Sequence, residues 1–473
     1  MRLACIWAAA AWAGVDVHPP PAAVLEQAGC VRSEVLPALD FVADPTLPPQ
    51  GYRLQLGAER SLLSASDRAG ERYGRQTHAQ LTDDRRCLVI EDAPALARRW
   101  VHVQLPGRST GGEPLFERQK ARLPAPSTYE GTADYLPLLD HLLDSAVAAR
   151  INGIVLELNG MWTFPSHPEL ALPWAIPLDA LAPWLQRARE QGVEVVPLLP
   201  LLTHQEQLLA PAYPELMRAP MARYPKKRGR PPDPVFWWNP ISDPRRPEVQ
   251  ALHVDLLTDV LTLFQPRLVH VGHDEAGALR FTDGADAPAL FADSVKAAHA
   301  IVRRAGATLG IWADMLLDHH RIAGTAHGNE AGTPTWKAIS QLPDDVVLMD
   351  WQYHGAAGRW PETGLLDDVP SLRYLADSGR PVVGTALGRP LDRLPVPKNR
   401  IRHVEQSARI ARTLVELQSQ GADVHAHLTA HFGLTPGRLA PWPGTEVAGS
   451  VYIAGLHGWT GGRQHQVWPV TID

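Results

Sequence analysis

In the stretch "LVHVGHDEAG", residues 268–277, an apolar run ends on His273, Asp274 and Glu275. Leu268, Val269, Val271 and Gly272 suit a buried strand, and two carboxylates at its end are costly unless solvated, paired or used. Adjacent carboxyl groups offer acid–base chemistry, because a neighbouring anion or burial keeps one of them protonated. A lone Asp-Glu pair is ordinarily a solvated turn, so position has to decide between the readings. Other strand-like runs also end in polar or aromatic side chains: Glu157 and Asn159, then His204, Trp312 and Asp314, Asp350, Trp351 and Tyr353, and Trp459. That recurrence carries more weight than any one strand end. His270 falls mid-strand and reads as a core residue. His270 and His273 are three apart, which on a strand turns them to opposite faces. "DHH", residues 318–320, lies in a loop, and neither set has the spacing of a zinc motif, so no metal site is expected.

The elements that must position these side chains alternate in a simple rhythm. Apolar strand candidates are Trp100–Leu105, Gly153–Leu158, Val193–Leu199, Leu268–Gly272, Thr308–Ala313, Val346–Trp351, Pro381–Ala386 and Ala448–Gly455. Helical patterns such as "ADYLPLLDHLLDSAVAARI" and "LDALAPWLQRAREQG" lie between them. Near-continuous apolar strands alternating with helices indicate a parallel sheet covered on both faces. Eight of them predict a (β/α)8 barrel, with active residues where strands end. A doubly wound open sheet is the runner-up, but no Gly-rich phosphate turn follows the first strand. Residues 1–92 differ in texture: "GYRLQLG" alternates as a strand, and "DRAGERYGRQTHAQL" reads as a turn running into a helix. The expected division is a small α/β domain over 1–92 and a barrel over 93–473.

Net charge is −6 over 473 residues, which argues against a protein built to bind polyanions. "PKKRGRPPDP", residues 225–234, resembles a minor-groove hook, yet one short basic run in an acidic chain reads as an exposed Pro-rich loop. No nucleic-acid partner is expected. No apolar run is long enough to span a membrane. Tryptophans at strand ends (15 in the chain) suit stacking on a sugar ring, whereas Trp237 and Trp238 are equally a core pair. The opening "MRLACIWAAAAWAGVDVHPP" has some features of a short export signal. The first element of a cytoplasmic domain is the preferred reading, export the alternative. Cys5, Cys30 and Cys87 form no framework; Cys30 and Cys87 remain a candidate disulfide if the chain is exported.

The sequence resembles glycoside hydrolase family 20, the β-N-acetylhexosaminidases, over nearly its whole length. "GYRLQLG" and "DRAGERYGRQTHAQL" look like that family's N-terminal α/β domain. "HVGHDE" is similar to its H-x-G-x-D-E motif, with His273 where glycine is often found. "WADML" and "VLMDWQYHG" look like the Trp-bearing ends of strands five and six. "NGIVLELNGMWTFP", "VEVVPLLPLLTHQEQLL" and "WWNPISD" are spaced as in the hexosaminidase D type, which often lacks the small domain. The resemblance implies a (β/α)8 TIM barrel preceded by a small α/β (α+β) N-terminal domain. It also implies release of terminal β-linked GlcNAc or GalNAc from a glycan or glycoconjugate, without cofactor.

Carried over, Asp274 and Glu275 become the catalytic pair. His204 supports the acid, with Glu157 expected to orient it and His273 beside the pair. Arg99 would bind sugar hydroxyls, Trp312, Trp351 and Trp459 would wall the pocket, and Asp314 and Tyr353 would add substrate contacts, Tyr353 at the acetamido group. There are departures. Gln104 replaces an aspartate common near the end of strand one, "NGM" replaces a "DD" pair after strand two, and "GLHGWTGG" matches the last-strand motif imperfectly.

Glycosidases usually hold two carboxylates about 5–9 Å apart across the scissile bond, which adjacent residues cannot do. Substrate-assisted hydrolysis removes that requirement, because the 2-acetamido oxygen is the nucleophile. Two other readings stay open: an inactive carbohydrate-binding barrel, and a glycosidase for sugars lacking the acetamido group, which would need another nucleophile.

Overall fold

The computed structural model describes residues 17–32, 38–105, 135–172, 175–205, 208–210, 212–218, 241–281, 286–318, 321–322, 334–351, 369–387, 397–431 and 446–462. Tyr353, Trp237, Trp238, the basic run 225–234, His319, His320 and the first sixteen residues lie outside the described residues.

The chain first builds a five-stranded sheet from β1 (Ala23–Val31), β2 (Leu39–Ala43), β3 (Tyr52–Leu56), β4 (Ser61–Ala65) and β5 (Arg86–Asp92), in the order β1-β5-β3-β4-β2. Along β3, Tyr52, Leu54 and Leu56 are buried while Gln55 is exposed, the two-residue alternation of a strand with one covered face. The cover is helix α1 (Arg68–Gln80), capped by the Asp67 side chain, which accepts the Gly70 N–H. Its buried residues, Gly70, Tyr73, Gly74 and Thr77, recur at helical spacing on one face. Both glycines permit close approach: a Cβ at Gly70 would lie 2.3 Å from the Gly51 carbonyl oxygen, and one at Gly74 2.2 Å from Leu63 Cδ1. A Cys30–Cys87 disulfide ties β1 to β5.

Eight parallel strands then close a barrel. In chain order they are β6 (Arg99–Gln104), β7 (Gly153–Glu157), β8 (Glu194–Leu198), β11 (Leu268–His270), β12 (Thr308–Trp312), β13 (Val347–Trp351), β14 (Val382–Leu387) and β15 (Val424–His431), closed by β15 pairing with β6. A short ribbon, β9 (Met217–Arg218) with β10 (Ile241–Ser242), sits between β8 and β11. Around the barrel lie α2 (Tyr135–Ala148), α3 (Leu178–Glu190), α4 (Pro247–Phe264), α5 (Ala287–Arg304), α6 (Pro370–Ala376), α7 (Pro397–Ser419) and α8 (Glu446–Thr460). Between β12 and β13 the described chain carries short 3₁₀ turns, Asp314–Leu316 and Thr335–Gln341. The fold is a TIM barrel with a separate small N-terminal sheet.

One expected strand is corrected. Ala448–Gly455 belongs to helix α8, and the eighth barrel strand is Val424–His431, "VHAHLTAH". That strand mixes histidine and threonine with its apolar residues. Its Ala426 and Leu428 join the apolar barrel interior, whereas His427 turns outward and bonds Ser407 of α7. The helix, in turn, looked like a strand because it is apolar and glycine-rich. A Cβ at Gly455 would lie 2.1 Å from the Ala149 carbonyl oxygen, so the glycine admits a neighbouring backbone.

The barrel interior is packed, not open. Trp100 fills its lower end opposite Gly153, where a Cβ would lie 2.1 Å from Trp100 Cδ1. Above it the inward rows contribute Val155, Val196, Leu268, Met349 and Val383, then Trp312 and Trp351. Such filling leaves the strand ends as the place for a pocket.

Candidate active site

The strand β11 stops at His270, and the backbone then turns sharply. Gly272, His273 and Glu275 all have left-handed backbone, with φ of 70°, 75° and 51°. At Gly272 the missing side chain also matters, since a Cβ would lie 3.2 Å from Pro200 Cα. The turn throws consecutive side chains to different sides. His273 points back into the barrel–helix layer, where its Nδ1 lies 2.9 Å from the Val271 carbonyl and its Nε2 3.0 Å from Ser294 Oγ. Its ring stands edge-on to Phe291. His273 therefore braces the motif from behind, and burial holds its pKa down to about 4.

Asp274 and Glu275 point the other way and share one partner. His204 Nε2 lies 3.2 Å from Asp274 Oδ2 and 3.4 Å from Glu275 Oε2. The three side chains keep 20–25% of their surface exposed, so the group is open to a ligand. His204 itself has left-handed backbone, φ 56°. Its loop is pinned from beneath: the buried Gln205 amide donates to the Pro200 and Thr203 carbonyls, both at 2.8 Å. Ser242 of the β9–β10 ribbon donates to the Leu201 carbonyl at 2.5 Å.

Charge is divided unevenly among the carboxyls. Burial pushes the Asp274 pKa up, but the charge and hydrogen bond of His204 outweigh it and leave it lowered. Asp274 is thus an anion at neutral pH. Asp314, which follows β12, moves the opposite way: burial first, then the negative charges of Asp274 and Glu275, raise it well above the ordinary carboxylate value. Only 1% of Asp314 is exposed, and its Oδ2 accepts the Glu275 backbone N–H at 2.9 Å. It faces the polypeptide rather than an open pocket, which corrects its expected place among substrate contacts.

Trp312 and Trp351 close the floor. Both rings belong to the barrel interior and are 5% and 7% exposed. Trp312 leans on His270 with ring centres 4.4 Å apart. The Gly272 N–H donates to His270 Nδ1 at 3.0 Å, and burial brings the His270 pKa down to about 3, so the ring is neutral.

Three expected placements are corrected. Glu157 does not orient His204. Its carboxylate is held by His102 Nε2 at 3.2 Å and by the Gln104 amide at 3.0 Å, side chains that share the inward row of β6. Arg99 opens β6, at the end of the barrel opposite Asp274 and Glu275, and is fully buried. It donates to the Leu96 and Arg150 carbonyls and to the Tyr73 hydroxyl at 2.7–2.9 Å, which leaves no room for a sugar. Trp459 lies there too, its Nε1 3.0 Å from both Asp92 carboxylate oxygens. Its ring is flanked by the guanidinium groups of Arg150 at 4.4 Å and Arg99 at 5.0 Å. These two residues build the seam with the N-terminal sheet. His102 and Gln104 were missed, although the alternation of "WVHVQ" puts Trp100, His102 and Gln104 on one face.

No family model and no curated protein matches the sequence. Solved structures do match it. A β-N-acetylhexosaminidase from Bacteroides fragilis superposes with a TM-score of 0.61 at 17% identity, over 92% of this chain and 90% of that one. The chain has the fold of the family 20 enzymes. An inactive mutant of the family 20 exo-β-N-acetylglucosaminidase from Vibrio harveyi gives a TM-score of 0.61 at 13% identity, over 94% of this chain and 73% of that one. The family 20 β-N-acetylhexosaminidase of Streptomyces coelicolor gives 0.58 at 16% identity, over 94% and 91%. The two-unit architecture is shared with these structures across most of the chain.

Proposed function

We propose that this protein is an exo-acting β-N-acetylhexosaminidase that removes terminal β-linked GlcNAc or GalNAc from a glycan by substrate-assisted catalysis. The observation that carries the proposal is the His204-bridged pair just beyond β11: two adjacent, partly exposed carboxyls that share one imidazole.

The two carboxyls take unlike tasks. Asp274, kept anionic by His204, accepts a hydrogen bond from the acetamido N–H of the sugar and turns the acetamido oxygen toward C1. That oxygen forms a bond to C1 as the glycosidic C1–O bond breaks, and Glu275 gives its proton to the departing oxygen. The product is an oxazolinium ion, whose positive charge Asp274 balances. Water then loses a proton to Glu275 and attacks C1, reopening the ring, so two inversions give net retention. Neither carboxyl has to stand across the bond from the other, which is what adjacency demands.

A second carboxylate at the retaining distance would favour an enzyme with its own nucleophile. Glu157, at the end of β7 and separated from β11 by β8, is held by His102 and Gln104. The Cys30–Cys87 disulfide favours the exported reading over the cytoplasmic one, since reducing compartments keep such thiols apart.

A thiazoline analogue of the bicyclic intermediate, with sulfur in place of the ring oxygen, tests the proposal. Competitive inhibition at least about a hundredfold tighter than by the free N-acetylhexosamine is expected, as for other intermediate mimics. Binding no tighter than the free sugar would remove the substrate-assisted reading.

A further inference from the structure

The turn that presents Glu275 is held in an unfavourable conformation, and something must keep it there. Residues with a Cβ resist left-handed backbone, yet His273 and Glu275 both adopt it within three residues. His273 is fixed by Val271 and Ser294. The Glu275 carbonyl accepts the Gly277 N–H at 2.8 Å, which tightens the turn. The Glu275 N–H is taken by Asp314 Oδ2 at 2.9 Å.

Asp314 stands on a rigid base. The Trp312 N–H before it donates to the Gly272 carbonyl at 2.9 Å, and the Ala313 N–H donates to the Met349 carbonyl at 2.9 Å. One barrel strand end is thereby locked to the next, with the Asp314 carboxyl across the gap. We propose that Asp314 is a positioning residue: it holds the Glu275 backbone in its left-handed turn and so aims the Glu275 carboxyl, without touching the sugar. The proposal rests on Glu275 being the acid–base of the reaction proposed above.

The chemistry of the site agrees. A buried anion beside Asp274 would be costly, and burial with the Asp274 charge pushes the Asp314 pKa well above the ordinary carboxylate value, toward the neutral acid. A neutral acid still accepts a hydrogen bond through Oδ2 while adding no charge next to the pair. An amide has the same shape and the same acceptor, so asparagine should do the work and alanine should not.

The test is steady-state kinetics and pH profiles for wild type, Asp314→Asn and Asp314→Ala on an aryl N-acetyl-β-glucosaminide, with melting curves beside them. Asp314→Ala should lower kcat by about a hundredfold, the scale of misplacing a catalytic group by about 1 Å, with KM changed less than about threefold. Asp314→Asn should rescue kcat to within about fivefold of wild type, with a superimposable pH profile. A folded Asp314→Asn as impaired as Asp314→Ala would overturn the proposal, as would an Asp314→Ala that raises KM and spares kcat. Should Asp314→Ala not fold, Asp314→Asn decides alone: retained kcat with an unshifted profile supports positioning, and loss rejects it. Wild type inactive on this substrate would instead bring down the reading of function on which the proposal rests.

Discussion

One imidazole serves two carboxylates at this site, and its contact with Asp274 holds that carboxyl below the ordinary value. His204 lowers the Asp274 pKa by its charge and its hydrogen bond against the upward push of burial. Removing it in His204→Ala should let the Asp274 pKa rise. Activity that needs the anion is then lost at higher pH, so the acid limb of kcat/KM moves upward and kcat falls about 10- to 100-fold. A profile unmoved from wild type would show that His204 does not act on the pair. Much of this was legible in the sequence because Asp274 and Glu275 sit in one contiguous motif. The partners of Glu157 were not, since His102 and Gln104 are 55 and 53 residues away and meet it only through strand pairing. Arg99 misled for a related reason: its residue type suited a sugar, but it lies at the wrong end of its strand.

At the scale of elements, strands such as β7, β13 and β14 are buried on both faces and read correctly from their largely apolar runs. The exception shows what pattern reading sees. In β15 the outward His427 places its Nε2 3.2 Å from Ser407 Oγ, so a buried strand carries a polar row. In α8 the stretch between barrel and neighbouring helices is small and apolar all round, and its hydrophobic run imitates a strand. Gly455 tests the helix assignment. A Cβ there would overlap the Ala149 carbonyl, so Gly455→Ala should destabilise by about 1–3 kcal/mol, the usual range for overpacking. Urea denaturation with an unchanged midpoint would mean that the two backbones are not in contact. The same logic explains the helix pattern in the N-terminal unit. Gly70 and Gly74 seat α1 on its sheet, while Tyr73 and Thr77 reach Arg99 and Arg150 of the barrel.

For the whole molecule, the seam beneath the barrel is polar yet deeply buried. Asp92 holds Arg150 at 2.9 Å and Trp459, and Arg150 also reaches Thr77 at 2.6 Å. Removing one partner would strand the others without water, which is why such networks resist single changes. The disulfide acts on the small unit alone. Closing a loop of 57 residues stabilises by up to about 4 kcal/mol on the chain-entropy account, so Cys30→Ser with Cys87→Ser should lower the urea midpoint and leave turnover unchanged. Equal midpoints for the oxidised protein and the double variant would show that the bond adds nothing. Acid should be the weak side of the fold. His270, His273 and His427 are fully buried, and burial lowers their pKa values to about 3, 4 and 4. The unfolded chain takes up these protons below about 6.5 and the folded chain does not, so stability is present above that value and lost as pH falls toward 4. A tenfold difference in proton affinity between the two states is about 1.4 kcal/mol, and three such histidines withdraw several kcal/mol. Melting temperatures flat between pH 7 and about 4.5 would contradict this.

The central claim is that the substrate supplies the nucleophile and that Asp274 and Glu275 divide the remaining work. The most direct measurement is hydrolysis of two aryl β-glycosides that differ only at C2, one acetamido and one hydroxyl, by wild type, Glu275→Gln and Asp274→Asn. Wild type should cleave the acetamido glycoside alone, and each substitution should lower kcat by about a hundredfold or more. Equal cleavage of both glycosides, or an Asp274→Asn as active as wild type, would contradict it and require a nucleophile from the protein.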